Sequence, residues 1–175
     1  MKKITVFIFL VQITTAKAQV IIGNAIGTAS NKNSVLLEFA DNNNKGLILP
    51  YVKTLPATAT QGTLVLDSTD PTSAIMKYYD GNTWRLLSDG ADISSALLSQ
   101  PDTAEHGNAK VIIGDPATTA DGVLVLESDT KALVLPQVTD VQNILSPSPG
   151  MIVYVKGAEK YLAVYNGSKW AFWKP

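Results

Sequence analysis

The sequence predicts an all-β protein: two small tandem β-meander modules joined by a linker with at most one short helix. Three observations lead there. Short blocks rich in Val, Ile, Leu and Tyr alternate with clusters of Gly, Pro, Asn and Asp, which is the punctuation of strands and turns. No window of helical length carries a clean 3.6-residue apolar period. Blocks also recur in the same order along the chain, the mark of an internal duplication. Val20-Ile21-Ile22-Gly23 returns as Val111-Ile112-Ile113-Gly114, and Leu36-Leu37-Glu38 as Val125-Leu126-Glu127. Lys45-Gly46-Leu47-Ile48-Leu49-Pro50 returns as Lys131-Ala132-Leu133-Val134-Leu135-Pro136. Gly62–Leu66 returns as Gly150–Tyr154, and Tyr79-Asp80-Gly81-Asn82-Thr83-Trp84 as Tyr165-Asn166-Gly167-Ser168-Lys169-Trp170.

These repeats divide the chain into residues 1–18, a first module at 19–87, a linker at 88–110 and a second module at 111–175. Residues 1–18 read as a secretory signal peptide. Met1-Lys2-Lys3 is basic, Ile4–Ile13 is mostly apolar, and Ala16-Lys17-Ala18 sets cleavage after Ala18. The apolar run is too short to cross a bilayer. Lys2, Lys3 and Lys17 leave with the leader, so the remainder is more acidic than the whole chain's net charge of −1. A basic patch for nucleic acid is not expected, nor is a membrane span. With no cysteine, disulfides, thiolate metal sites and thiol nucleophiles are excluded.

Taken in order, Val20–Ile22 and the Leu36–Glu38 block are strands. Pro50 and Pro136 are expected to close their apolar strands, because proline donates no ladder hydrogen bond. Thr54–Gln61 and Thr139–Pro149 read as loops, the second with a helical turn near Val141–Leu145. Ile75–Tyr79 should pair with Asn82–Leu87, and Tyr161–Tyr165 with Ser168–Trp173. Two-residue turns centred on Asp80-Gly81 and Asn166-Gly167 would join them. Each module then ends in a three-stranded meander. Asp92 is placed to cap a short helix through Leu98. Modules of roughly 65–70 residues are marginal without staples, and short meanders leave open edges. Association or docking onto a partner is therefore expected.

Little in the sequence points to chemistry, and no cofactor or metal is expected. His106, the single histidine, sits in the linker beside Asp102 and Glu105, a spacing that fixes no coordination geometry. Asp41–Gly46 has the glycine of a calcium loop, but Lys45 stands at a ligand position and Val52 where a glutamate is needed. The matched Glu38/Glu127 and Lys45/Lys131 read as exposed strand-end charges of little energetic weight. Tyr78, Tyr79, Trp84, Tyr161, Tyr165, Trp170 and Trp173 are the candidate interaction residues. Aromatics on paired strands pack across the strands or at subunit interfaces. A carbohydrate platform is the alternative.

The order of the motifs resembles a module of secreted surface proteins of Bacteroidota and of phage-tail-fibre-like proteins. That module runs from an Ile-Gly pair and a Leu-Glu strand to Lys-Gly-Leu-Leu-Leu-Pro, Gly-x-x-Val-Tyr and Tyr-Tyr-Asp/Asn-Gly-x-x-Trp. Ile22-Gly23, Leu37-Glu38, Lys45–Pro50, Gly62–Leu66 and Tyr78–Trp84 carry the first copy. Ile113-Gly114, Leu126-Glu127, Lys131–Pro136, Gly150–Tyr154 and Tyr165–Trp170 carry the second. Ala132 departs from the glycine of the pattern. The resemblance implies a secreted, non-enzymatic structural protein, an accessory subunit of a surface adhesin, a fibre or its export machinery. A type 9 secretion sorting domain is not expected after the last hairpin. Its partner would be a larger outer-membrane or surface protein, or further copies of itself in a trimer. The location would be the cell surface, the outer membrane or the medium. The resemblance also implies O-glycosylation at Ser68 and Thr103, each following an aspartate, on loops expected to be exposed.

Overall fold

The computed structural model describes residues 19–24, 26–41, 44–100, 106 and 109–174; the expected signal peptide at 1–18 lies outside them. The first copy contains β1 (Val20–Ile22), β2 (Val35–Phe39), β3 (Leu47–Ile48), β4 (Tyr51–Val52), β5 (Leu64–Asp67), β6 (Ile75–Tyr79) and β7 (Trp84–Leu86). A short helix α1 (Ser94–Leu97) follows. The second copy repeats the order with β8 (Val111–Ile113), β9 (Leu124–Leu126), β10 (Ala132–Leu133), β11 (Gln137–Val138), β12 (Met151–Val155), β13 (Tyr161–Tyr165) and β14 (Trp170–Trp173). Single 3-10 turns stand at Pro71–Ser73 and Val141–Asn143. The fold is all-β, as the block pattern predicts.

Both meanders form. β5, β6 and β7 are antiparallel, from Leu64↔Tyr78 to Tyr79↔Trp84. β12, β13 and β14 repeat this from Met151↔Tyr165 to Tyr165↔Trp170. The turns are centred one residue later than Asp80-Gly81 and Asn166-Gly167 would place them. The Asp80 N–H donates to the Thr83 carbonyl at 3.1 Å, so Gly81 and Asn82 form the tip. Only Gly81 there has positive φ, at 99°. The Asp80 carboxylate accepts from the Asn82 and Thr83 N–H groups at 2.8 Å each. Asn166 does the same for Ser168 and Lys169. The acid or amide therefore holds the loop from outside rather than occupying its left-handed position.

The N-terminal half of each copy is a parallel pair, β1 with β2 and β8 with β9. The second pair is shifted by two residues relative to the first, which leaves the inward face unchanged.

The two Pro-containing strands do not stay in their own copy. β3 pairs antiparallel with β12 of the second copy, Ile48 opposite Met151 and Leu47 opposite Ile152. β10 pairs parallel with β2 of the first copy, Ala132 opposite Val35 and Leu133 opposite Leu37. Past each proline the chain returns home. Tyr51 lies opposite Leu66 in β5, and Gln137 opposite Tyr154 in β12. Pro50 and Pro136 therefore follow the ends of β3 and β10, as expected, and also mark a change of partner. A residue without an N–H suits the step between two ladders. Its carbonyl still accepts, from Leu66 N–H and Tyr154 N–H at 2.9 Å each.

Exchange gives the copies one core. Leu49, Leu66, Ala74, Met76, Leu87 and Ile93 from the first copy and its following segment pack with Ile152 and Val164 from the second. The stretch after β7 is thus not all spacer, for Ala91 bridges Ala74 and Ile93 is buried. A second cluster, Val138, Val141, Ile144, Met151, Val153, Val155 and Ala163, belongs to the second copy alone. Fully burying a side chain such as Leu66 or Ile152 is worth roughly 1.5–3 kcal/mol. Separating the copies would return several of them to water at once.

The exchange also explains a departure between the copies. A Cβ on Gly46 would stand 2.3 Å from Met151 Cγ and 2.8 Å from Val153 Cγ1. Its counterpart Ala132 is exposed. Gly46→Val should lower unfolding free energy by about 1–3 kcal/mol through overpacking. Ala132→Val should stay within about 0.5 kcal/mol, as surface changes do. Urea denaturation of the two variants checks the contrast.

Candidate functional site

The side chains that matter are those at which one copy grips the other. Gly46 lets β3 approach Met151 closely, and Leu49 N–H then donates to Gly150 carbonyl oxygen at 3.0 Å. Tyr51 hydroxyl donates to Pro149 carbonyl at 2.7 Å. A Cβ on Gly150 would lie 3.2 Å from the Tyr51 ring. Burial raises the Tyr51 pKa above its ordinary value, which keeps the hydroxyl a donor. On the other crossing, Ala132 N–H donates to Ser34 carbonyl and Val134 N–H to Leu37 carbonyl, both at 2.8 Å.

Polar contacts close the rim. Lys156 pairs with Asp41. Asn166 Nδ2 donates to Asp89 carbonyl at 2.9 Å, and Lys169 Nζ sits 2.7 Å from the Asp89 carboxylate. Trp173 Nε1 donates to Leu87 carbonyl at 2.9 Å.

Beneath the β2–β10 crossing lies Glu38, which is buried at 0% exposure. The exposed strand-end charge expected of it is therefore overturned. Its carboxylate accepts from Thr28 and Ala29 N–H at 2.8 Å each and pairs with Lys32 Nζ at 2.5 Å. Burial alone raises a carboxyl pKa. Here the Lys32 hydrogen bond and the two backbone donors outweigh it and hold Glu38 below its ordinary value. The loop between β1 and β2 is thereby folded onto the strand. Gly27 belongs to this fit, since a Cβ there would stand 2.3 Å from the Glu38 carboxyl carbon. The counterpart Glu127 is only half-buried and takes the Thr118 hydroxyl instead.

The aromatic residues proposed for interaction are all placed. Tyr79 and Trp84 are 5.3 Å apart at 53°, and Tyr165 and Trp170 are 5.2 Å apart at 48°. These are tilted cross-strand pairs of the kind that hold hairpins together. Tyr161 meets Phe172 edge-on. Tyr78 packs against the shared core, and Tyr161, Tyr165 and Trp170 against the second cluster. Trp173 is 48% exposed and bonds across the copies.

Ser68 is not on an exposed loop. It is 2% exposed, and its hydroxyl donates to Val52 carbonyl at 2.9 Å. A sugar there would have to break that bond, so the expectation of an accessible acceptor is corrected. Asp67 beside it faces Lys77 at 2.6 Å. The Lys77 and Thr69 hydrogen bonds overcome burial and depress the Asp67 pKa. Thr103 lies outside the described residues. His106 is exposed. Among the described residues no group of three or more His, Asp or Glu could hold a metal, and no helix is long and apolar enough to cross a membrane.

Sequence reasoning missed the role of Gly46–Tyr51 and Lys131–Gln137. Their one available signal was the unequal pair Gly46 and Ala132 inside an otherwise matched block.

The chain is all-β, and its two copies trade edge strands. The model of the phage tail-like trimerisation region matches residues 25–102 and 112–174, one segment per copy, and the chain belongs to that family. No curated protein and no solved structure matches it.

The Glu38 site has a signed pH dependence. A carboxyl whose pKa is depressed on folding stabilises fully above its unfolded value and loses that contribution as pH falls through the folded value. Glu38→Gln should therefore cost about 1.5–3 kcal/mol at neutral pH. The gap between the variant and the natural protein should shrink as pH drops below about 4.5. Denaturant titrations from neutral pH to pH 3 would show it.

Proposed function

We propose that this protein is an exported, non-enzymatic structural unit that joins polypeptides into a fibre-like, three-fold assembly at a bacterial surface. It acts there as an accessory of a larger adhesin, fibre or export apparatus in a Bacteroidota-type bacterium. One observation carries the reading. The strand within each Lys-x-Leu-x-Leu pattern leaves its own module to complete a sheet of another, which is how a chain without cysteines can bind modules to one another. The family's printed description, a trimerisation region of phage-tail type, supports the same order of assembly. The basic, apolar and Ala-x-Ala features of residues 1–18 support export.

The tilted Tyr–Trp pairs favour structure over sugar binding, because each ring packs on its cross-strand partner and Tyr165 and Trp170 also pack on the second cluster. Trp84→Ala or Trp170→Ala should accordingly lower stability by about 3 kcal/mol or more. Neither should alter retention on glycan arrays, which a thermal melt paired with an array tests.

Cross-linking in the native envelope tests the function itself. The chain should be recovered in a species whose mass contains three modules or a multiple of three, together with a larger surface polypeptide. Recovery solely as the free chain would overturn the proposal.

A further inference from the structure

The contacts between the copies follow a rule that the chain satisfies only in part. Each module offers a crossover strand, an acceptor edge on its second strand, and an acceptor edge on the first strand of its meander. β10 fills the edge of β2, and β3 fills the first half of β12. Two matched edges have no partner among the described residues. β9 pairs only with β8. β5 is covered by β4 only at Leu66 and Asp67, which leaves Thr63 and Leu64, the counterparts of Met151 and Ile152, without a strand on that side. The far edges of β3 and β10 are likewise unpaired.

Burial measures the difference independently. Val35, Leu36, Leu37 and Glu38, under the β10 crossing, are 0–2% exposed. Of their counterparts, Leu124 is 41% exposed, while Val125, Leu126 and Glu127 are half-buried. Gly150 is enclosed by Tyr51, Leu49 and Leu66, whereas its counterpart Gly62 has nothing within 4 Å. Beside β10, where β3's counterpart contacts would continue, an open cleft of ≈ 300 Å³ is lined by Leu133, Val134, Leu135, Gln137 and Tyr154.

We propose that this chain fills two positions of a three-position ring, and that the third takes a single module of the same kind carried by a different protein. This rests on the assembly reading above and names its partner. Applying the observed pairings once more defines what must dock. An extended strand of the Lys-Gly-Leu-x-Leu-Pro type adds parallel to β9 and antiparallel to Thr63–Leu64. The incoming module's own sheet edges receive β3 and β10. The interface is heterologous, each module's strand entering the next, and such an interface closes into a ring or runs on as a filament. A second copy of the chain is a poor third member. Each of its crossover strands is already committed on one edge to its own other module, and it brings modules in twos. Strand addition supplies affinity through main-chain bonds, and the apolar positions of Leu124 and Leu126 supply selection.

The test uses the whole exported chain and a synthetic peptide with the sequence of residues 44–53. Light scattering should show a monomer. The peptide should bind saturably and slow hydrogen exchange at Leu124, Leu126 and Leu64. Leu124→Asp should weaken binding about tenfold or more. Leu145→Asp, at a position 89% exposed and away from these edges, should leave it unchanged. A chain that is a trimer by itself, with β9 amides already protected, would overturn the two-of-three arrangement while leaving the assembly reading standing. A monomer whose Leu124, Leu126 and Leu64 amides ignore the peptide would also overturn the inference. The envelope cross-linking then judges the assembly reading separately.

Discussion

Everything in this fold depends on one constraint: a sheet edge in either copy is completed by a strand that begins in the other. β3 and β10 are each only two residues long in the ladder, yet they decide what is buried. Without β10, the edge of β2 over Leu36 and Leu37 would lie open. Without β3, Met151 and Ile152 would lose the strand beside them, and Leu49 would leave the shared core. Backbone hydrogen bonds demand partners wherever water is excluded. The exchange meets that demand in two modules with one device.

Proline makes the device workable. Pro50 and Pro136 separate two short ladders that run to different partners. Pro136 is buried, so a residue with an N–H there would carry an unmatched donor, whereas the step at Pro50 is exposed. The carbonyls of the same residues remain engaged, so the step costs no acceptor. Gly46 and Gly150 contribute in another way, by letting backbone and side chains approach more closely than a Cβ would permit. The buried Glu38 serves the same interface from below. It gathers the Thr28 and Ala29 amides and the Lys32 ammonium, and so fixes the long β1–β2 connection beneath the strand that β10 covers.

The small size of each module is consistent with this arrangement. A separate meander has too little core to stand alone without disulfides or metal. Pooling Leu66, Met76 and Ile93 with Ile152 and Val164 makes one core from two insufficient ones. Aromatic residues reinforce the hairpins locally, and Trp173 ties the last strand of one copy to the end of the other's meander.

Much of the secondary structure was legible because it is local. The alternation and turn residues of Ile75–Leu87 and Tyr161–Trp173 mark two hairpins, and the repeated blocks mark a duplication, whatever the chain does in three dimensions. Turn centring was misjudged by one residue because Asp80 and Asn166 act through side-chain acceptors rather than through left-handed backbone. Ser68 and Glu38 were misplaced because exposure is set by what the rest of the chain lays over a residue. Above all, the pattern Lys-x-Leu-x-Leu-Pro specifies an apolar extended strand but not which edge it joins. A strand's main chain can pair with any free edge of suitable register, so the sequence alone determined the strands, the turns and their doubling. Only the tertiary structure decided that the copies interlock, because that choice lies in long-range packing, in the room Gly46 leaves for Met151 and in the core the two copies hold in common.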